Sequence, residues 1–225
     1  MSVEIRPWEL MRFSAEIYRG AFRVGSHGWL VSVARPLYAP FHLIYPWIPQ
    51  GSHVLDIGCG TGAFLLLAQR VRKLGPSVGY DVNEASIRLA RAAGKNAGAR
   101  FEVGAEIPDE ALSSASVVTL IDVLHHLQPG SRQALLEQIV GRMAPGARLI
   151  VKDLDPRPHW RATANRVTDF LSTRSRVDYL ALETLADYVG SQHFEISLRE
   201  PLPRQVWAHY LMVADKHGGA REERN

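Results

Sequence analysis

A glycine-rich stretch, VLDIGCGTGAF at residues 54–64, carries the clearest chemical signal in this sequence. Gly58, Gly60 and Gly62 stand at every second position, directly after an apolar run. Glycine-rich loops that follow a strand commonly bring backbone N–H groups up to a nucleotide. The spacing here is G-x-G-x-G, which differs from the dinucleotide-binding G-x-G-x-x-G and from the Gly-Lys-Ser/Thr of a P-loop. Asp56 also lies where its charge would oppose a phosphate. The stretch therefore favours a ligand with a positive centre, a ribose and an adenine.

The single cysteine of the chain, Cys59, lies inside this loop. It could be a nucleophile or a small residue that fills a tight turn, and we favour the second interpretation because the sequence shows no fixed partner for it. One cysteine excludes an intrachain disulfide, and the N-terminus has no apolar signal-peptide core. We therefore expect a cytoplasmic protein.

The residues around the loop predict alternating strands and helices. Short apolar runs bounded by turn residues alternate with segments of helical periodicity from residue 53 onward. The predicted strands are 53–58, 77–81, 100–104, 116–124 and 148–155, and the predicted helices are 61–73, 83–98 and 130–143. Repeated strand–helix–strand units imply a parallel sheet covered on both faces. The run 116–124 is the most apolar, so we expect it at the centre of that sheet.

The C-terminal part of the chain predicts a different connection. Segments 194–202 and 205–216 have the composition of strands and are joined by a short link containing Pro203. So short a link requires antiparallel strands, because a parallel crossover takes about a dozen or more residues. The expected fold class is α/β, with a doubly wound and mostly parallel sheet that ends in an antiparallel hairpin.

Composition bounds the classes of function. The chain of 225 residues suits one α/β domain, and its formal charge of +3 does not demand a nucleic-acid partner. The longest apolar run, residues 29–49, contains four prolines, which break the hydrogen bonding that a lipid-exposed helix needs. We therefore expect no transmembrane span.

Two segments fall outside the strand–helix repeat. Residues 1–50 hold nine of the nineteen aromatic residues, and residues 157–180 carry five arginines. Aromatic residues suit a flat or apolar small molecule, whereas arginines suit an anionic one. In each case the alternative is a plain structural role: packing of the aromatics onto the domain and a solvated helix face for the arginines. Residues 217–225 are expected to be a frayed tail.

The motifs together resemble one known family. VLDIGCGTG is similar to the first motif of the class I S-adenosylmethionine-dependent methyltransferases, and motif order and spacing agree over residues 50–216. The resemblance implies a Rossmann-like sheet of seven strands with the last strand inserted antiparallel, S-adenosylmethionine as cofactor and S-adenosylhomocysteine as product. It assigns these loop residues to the cofactor site: Asp56, Gly58, Cys59, Gly60 and Gly62.

The ends of the second and third predicted strands extend the resemblance. A carboxylate at Asp81 can accept hydrogen bonds from both ribose hydroxyls, as the family's acid at this place does, and Val82 would pack on the adenine. The alternative is that Asp81 caps the next helix, although Asn83 could do so instead. The family often has an aspartate at the adenine amine, where this sequence has Ala105 and then Glu106. The adenine contact is therefore either the Ala105 backbone or the Glu106 side chain.

The fourth and fifth predicted strands supply the candidate catalytic residues. The resemblance places Asp122 and Val123 beside the methionine part of the cofactor. His125 and His126 follow at a strand's carboxyl end, where ligands of open α/β sheets bind, and a histidine pKa suits a general base. The alternative for both histidines is a packing and orienting role. Asp153 could bind substrate or take a proton, and no local ligand spacing indicates a metal site.

The sequence thus predicts three regions and one main function. Residues 1–50 are an N-terminal lid for the substrate, residues 51–216 are the methyltransferase domain with 157–180 as a cap insert, and residues 217–225 are a tail. We expect a bacterial enzyme of secondary metabolism that methylates oxygen or carbon of an aromatic or natural-product acceptor, either free, anionic or tethered to an acyl carrier protein.

Three alternatives belong to other classes. A membrane-surface enzyme could methylate a lipid or quinone precursor, with residues 1–50 as a weak interfacial anchor. A module could bind S-adenosylmethionine without catalysis. A nucleic-acid methyltransferase is disfavoured, because DVLH stands where base-methylating relatives have an Asn/Asp-Pro-Pro-aromatic motif. The oligomeric state is open.

Overall fold

The computed structural model describes residues 5–95, 97–156, 178–202 and 208–218. Seven strands form one sheet in the order β3-β2-β1-β4-β5-β7-β6. The strands are β1 Val54–Ile57, β2 Ser77–Asp81, β3 Ala99–Val103, β4 Val117–Ile121, β5 Arg148–Leu154, β6 Phe194–Leu202 and β7 His209–Lys216. The described helices are α1 Pro7–Tyr18, α2 Ser26–Tyr38, α3 Phe41–Ile44, α4 Ala63–Arg72, α5 Glu84–Ala93, α6 Asp109–Ser114, α7 Pro129–Arg142 and α8 Leu182–Gly190.

Strand directions confirm the predicted α/β fold class. The pairs β1–β2, β2–β3 and β4–β5 are parallel, whereas β7 is antiparallel to both β5 and β6. All five residues of β4 are buried, and β4 is the middle strand of the order, as its apolar sequence predicts. The chain therefore has the mostly parallel sheet with a C-terminal antiparallel hairpin that the short link around Pro203 implies.

The chain divides into two compact units, residues 1–108 and residues 109–225. In the first unit, α1 and α2 pack against each other, and both also contact α4. Helix α4 buries six consecutive residues from Ala63 to Ala68. Phe41 and Tyr45 pack on Phe64 of this helix, with ring centroids 5.2 and 5.3 Å away. Phe41 and Tyr45 therefore pack the N-terminal segment onto the domain, which was the alternative to contact between these aromatic residues and a substrate.

The second unit is held by the β5–β7–β6 ladder. Arg148 of β5 stands opposite Asp215 of β7, and its guanidinium donates to both carboxylate oxygens at 2.7 and 3.0 Å. Asp215 also accepts from the Ser197 hydroxyl at 2.7 Å, which ties in β6. This bidentate pair fixes the register of the hairpin on β5.

Two helices differ from the prediction, and strand β4 ends at Ile121, three residues before its predicted end at 124. Helix α5 ends at Ala93, five residues before the predicted end at 98, because Gly94 takes the C-cap position. A side chain at Gly94 would come within 2.9 Å of Phe101, so the chain turns there with a residue that has none. The six-residue helix α6 was not predicted, since so short a segment has little periodicity to detect.

Other predictions fall outside the described residues. The cap insert 157–180 is described only from residue 178 onward, and the predicted tail only at residues 217 and 218. The roles given to residues 1–50 and to the insert remain predictions. Among the residues that the structure describes, no helix has both the length and the apolar character needed to cross a membrane.

Candidate cofactor and active site

The glycine loop lies between β1 and α4 in the first unit. Gly60 and Gly62 have φ angles of +54° and +79°, a left-handed conformation that residues with a Cβ rarely adopt. A Cβ at Gly62 would come within 2.7 Å of Phe101, so this glycine allows close helix–strand packing. A Cβ at Gly60 would meet nothing within 4 Å. The chain at Gly60 therefore borders open space, in which a ligand can approach the backbone.

Asp81, at the end of β2, holds this loop in place. Its Oδ2 accepts a hydrogen bond of 2.7 Å from the Gly60 amide, and its Oδ1 accepts one of 2.8 Å from the Asn83 amide. The cap of α5 is Asn83, whose side chain accepts from the Ser86 amide at 3.1 Å. Asp81 is therefore not needed as the cap.

The residues around Asp81 fit a ribose and an adenine. A carboxylate offers about four lone-pair sites, and the two described bonds to Asp81 leave sites for two hydroxyl donors. The Val82 side chain is 70% exposed, and Val103, which pairs with Asp81 across the sheet, is 46% exposed. Exposed apolar side chains next to a carboxylate suit a ligand with a flat apolar base and a hydroxylated sugar.

Ala105 and Glu106 follow β3 and are both exposed. They lie in the same unit as the loop, and Gly104 just before them donates its amide to the Asp81 carbonyl at 3.0 Å. Their two alternative contacts with the adenine, backbone or side chain, remain predictions. Val103 is a residue that sequence reasoning did not single out, because exposure of an apolar strand residue has no signature in the sequence.

Cys59 is a buried packing residue in the structure. Its Sγ occupies the space beside Gly79 of β2, where an added Cβ would come within 2.8 Å. Burial raises the pKa of the Cys59 thiol far above its usual range, and the carboxylates of Asp56 and Asp81 raise it further. A thiol that stays protonated is a poor nucleophile, so the structure agrees with the small-residue interpretation. Asp56 itself is 1% exposed, beneath the loop.

The second unit brings two of the candidate catalytic residues together. His125 Nδ1 is hydrogen bonded to Asp153 Oδ1, and both side chains are buried. The carboxylate of Asp153 also accepts from the amides of Leu124 and Leu154, each at 2.7 Å. These contacts fix the position of the carboxylate, which in turn holds the imidazole ring in one orientation.

His126 has a different environment from His125. Its side chain is exposed, although the two ring centroids are 3.9 Å apart. The last residues of the insert approach His125 instead: the Asp178 amide donates to the His125 carbonyl at 3.3 Å, and the Tyr179 ring lies 6.2 Å from the imidazole. The 3₁₀ turn Leu124–His126 therefore presents one histidine to the interior and one to solvent.

Asp122 has a cationic partner that the sequence analysis missed. Lys152 of β5 is fully buried and forms an ion pair with Asp122 Oδ1, and its carbonyl accepts from the Asp122 amide at 2.8 Å. Asp122 has a φ of +59°, an uncommon conformation for a residue other than glycine and one that clusters at functional sites. The parallel register places Lys152 opposite Ile121, which only the folded strand pair reveals. Val123, the next residue, is partly exposed.

His209 of β7 completes the cluster of ionisable groups in the second unit. Its pKa is lowered from 6.5 to about 3, mainly by burial. The charges of Lys152 and His125 also lower this pKa, whereas Asp122 and Asp153 raise it. His209 is therefore neutral at physiological pH, and it was also not identified from the sequence. Among the described residues, no three or more His, Cys, Asp or Glu side chains form a group that could hold a metal ion.

His209 should make the protein less stable in acid. Below pH 6.5 the unfolded chain takes up a proton at this residue, whereas the folded chain does not until about pH 3. The free energy of unfolding should therefore fall by about 1.4 kcal/mol per pH unit from this group between those values. Urea titrations at pH 7, 6 and 5 should show a smaller loss for His209→Gln than for the wild type. His217→Gln, at an exposed position, is the control, and equal losses in all three proteins would contradict the prediction.

A methyltransferase family model and several known proteins match this chain. A family model described as methyltransferase domain matches residues 32–197. The chain is 29% identical over 137 residues to the ubiquinone biosynthesis O-methyltransferase of Bordetella avium, a match that covers 54% of each protein. It is 36% identical over 107 residues to the carboxy-S-adenosyl-L-methionine synthase of Aliivibrio salmonicida, which covers 45% of this chain and 44% of the relative. The chain thus spans about half the length of these curated relatives.

Solved structures show the same fold. The magnesium protoporphyrin IX methyltransferase of Synechocystis, solved with bound SAH, superposes with a TM-score of 0.63 at 16% identity over 79% of this chain and 82% of that one. The matched family model covers most of the described sheet and the whole glycine loop. The chain therefore belongs to the class I S-adenosylmethionine-dependent methyltransferase family.

Proposed function

We propose that the protein methylates a phenolic oxygen of a small aromatic acceptor, with His125 as the general base. The observation that carries this proposal is the buried hydrogen bond between His125 Nδ1 and Asp153. A phenol with a pKa of about 10 is mostly protonated at neutral pH, so its oxygen becomes a strong nucleophile only when a base removes the proton. Such a base is what a histidine oriented by a carboxylate provides.

The roles within the pair follow from the donors and acceptors. Asp153 can only accept, so His125 donates its Nδ1 proton to Asp153, and proton exchange with the acceptor takes place at Nε2. The amides of Leu124 and Leu154 hold the carboxylate, which in turn stabilises the imidazolium that forms. Bound S-adenosylmethionine supplies an electrophilic methyl group on its sulfonium.

The cofactor is assigned to the glycine loop and to residues at the ends of the strands. In this proposal the Gly58–Gly62 loop receives the cofactor, Asp81 accepts from the ribose hydroxyls, and Val82 covers one face of the adenine. The open space at Gly60 and the exposure of Val82 support these assignments. In the second unit, Asp122 and Val123 are assigned to the methionine part, with Lys152 balancing the charge of Asp122.

Support for an aromatic acceptor comes from the N-terminal helices and from one relative. Six of the large apolar side chains that the structure leaves exposed belong to residues 8–43, namely Trp8, Phe22, Val24, Leu30, Leu37 and Leu43. The Bordetella avium relative is named an O-methyltransferase of ubiquinone biosynthesis. An anionic or carrier-tethered acceptor rests on the arginines of the insert, which lie mostly outside the described residues.

The same exposed apolar residues favour a second candidate function. Apolar side chains on α2 that face solvent, such as Leu30 and Leu37, together with the nearby Arg23, suit contact with an anionic lipid surface. The acceptor would then be a lipid-linked or quinone-type phenol, and the protein would act while associated with the membrane surface. This candidate uses the same base and the same cofactor site.

One experiment separates these candidates. The purified protein would be incubated with methyl-tritiated S-adenosylmethionine and a monocyclic phenol, its carboxylate derivative, a phenolic acyl group on acyl carrier protein, or a prenylated phenol in anionic vesicles. We expect transfer to a free phenol, with the product's methyl at oxygen by NMR. Transfer only in vesicles would favour the second candidate. Cofactor binding by calorimetry without any transfer would contradict both and favour a non-catalytic module.

A further inference from the structure

Three buried hydroxyl side chains link the two N-terminal helices to each other and to the glycine loop. They are Ser14 and Tyr18 on α1 and Ser32 on α2, and each has an exposure of 0%. Buried hydroxyls are costly unless they are hydrogen bonded, so their partners show what they hold. We call these three residues the hydroxyl clamp.

The hydroxyl clamp ends on Thr61, at the centre of the loop. The Tyr18 hydroxyl donates to the Thr61 carbonyl at 2.5 Å. Ser32 Oγ lies 2.7 Å from Thr61 Oγ1 and 2.6 Å from the carbonyl of Gly28, so the two hydroxyls and this carbonyl form one chain of hydrogen bonds. Ser14 donates to the Ser32 carbonyl at 2.9 Å and joins α1 to α2. The clamp is thus hydrogen bonded to both the backbone and the side chain of Thr61.

Position makes Thr61 an effective point of attachment. It lies between Gly60 and Gly62, both in the left-handed conformation, and glycines have no side chain to hold such a conformation by packing. On one side the Gly60 amide is bonded to Asp81, and on the other Thr61 is bonded to the clamp. A loop fixed at two adjacent residues loses less conformational freedom when a ligand binds, which raises its affinity.

We propose that Tyr18 and Ser32 are positioning residues for the cofactor and that α1 and α2 therefore belong functionally to the S-adenosylmethionine site. This inference rests on the proposed assignment of the Gly58–Gly62 loop to the cofactor. This role differs from that of a lid over the methyl-accepting substrate, because the hydrogen bonds between the clamp and the loop form without that substrate. Occupancy of the loop and packing of the N-terminal helices should accordingly stabilise each other.

Tyr18→Phe tests the proposal, because it removes one hydroxyl and keeps the ring. We expect the Kd for S-adenosylhomocysteine, measured by calorimetry on the full chain, to rise about five- to tenfold, the equivalent of one buried hydrogen bond. In turnover assays the KM for S-adenosylmethionine should rise similarly, while kcat at saturating cofactor changes by less than about twofold. Ser32→Ala, which suits a helix and adds no bulk, should show the same pattern.

Tyr45→Phe is the matched control. The Tyr45 hydroxyl is also buried and donates to a backbone carbonyl at 3.1 Å, but its acceptor is Phe64 inside α4. Tyr45→Phe should lower the melting temperature as Tyr18→Phe does and leave the Kd within about twofold of the wild type. Equal Kd values for the Tyr18, Ser32 and Tyr45 variants would overturn the clamp. Asp81→Ala tests the assignment of the loop separately from the clamp. If this variant binds S-adenosylhomocysteine with the Kd of the wild type, the assignment of the loop to the cofactor is wrong, whatever the Kd values of the Tyr18 and Ser32 variants.

Discussion

Replacing His125 by alanine should lower kcat at least about a hundredfold, the usual size of a general-base contribution. The physical reason is that the acceptor's phenolic proton then has no oriented base to receive it. Cofactor affinity should change little, because the His125 side chain is buried against Asp153 and is not among the residues assigned to the cofactor. The measurement is single-turnover methyl transfer at saturating S-adenosylmethionine, with calorimetry of S-adenosylhomocysteine on the same preparation.

His126→Ala is the control for this experiment. The two histidines are adjacent, but His126 is exposed and His125 is buried against Asp153. We expect His126→Ala to keep kcat within about threefold of the wild type, because its exposed imidazole takes no part in the proposed proton transfer. Asp153→Asn should fall between the two, because an amide at that position can hold the wrong tautomer of the imidazole. Full activity of His125→Ala would remove the base from the mechanism.

The second large effect is expected at Asp81. Asp81→Ala should raise the Kd for S-adenosylhomocysteine about a hundredfold, because it removes two hydrogen-bond acceptors for the ribose and releases the Gly60 amide from its partner. Glu84→Ala provides the control for charge. Glu84 lies three residues further along the chain, is exposed, and pairs with Arg88 at 2.9 Å. Its removal should leave the Kd within about twofold of the wild type.

A ligand variant separates the ribose contact from the effect on the loop. The wild type should bind 2′-deoxy-S-adenosylhomocysteine more weakly than the parent compound, whereas Asp81→Ala should bind the two about equally. This is a double-mutant cycle in which one change is made in the protein and the other in the ligand. If Asp81→Ala still discriminates between the ligands as the wild type does, Asp81 does not contact the sugar.

The sequence predicted those features that depend on local pattern. Strand β6 was predicted at its observed bounds, and the short link between β6 and β7 implied their antiparallel pairing. The spacing of Gly58, Gly60 and Gly62 after an apolar run predicted a loop directly after a strand, and the structure has this loop between β1 and α4. These features are encoded by periodicity and by residues with special backbone preferences, which neighbouring positions in the chain are sufficient to show.

The features that escaped prediction depend on contacts between distant residues. Tyr18 and Thr61 are 43 positions apart, and nothing in the aromatic-rich N-terminus distinguishes Tyr18 from its neighbours. Lys152 lies inside a predicted strand, and only the register of β5 with β4 brings it to Asp122. His125 and His126 are chemically identical in sequence, and only the 3₁₀ turn decides which one is buried. Tertiary packing, not local preference, selects these residues.

The buried Cys59 has a practical consequence for the study of this protein in solution. It is the only thiol of the chain, and its burial and raised pKa protect it from alkylating reagents. The wild type is therefore already a suitable background for site-specific labelling. A single cysteine introduced at an exposed position of α1, such as Trp8, could carry a fluorophore or spin label. That label would report on the N-terminal helices alone while cofactor is added.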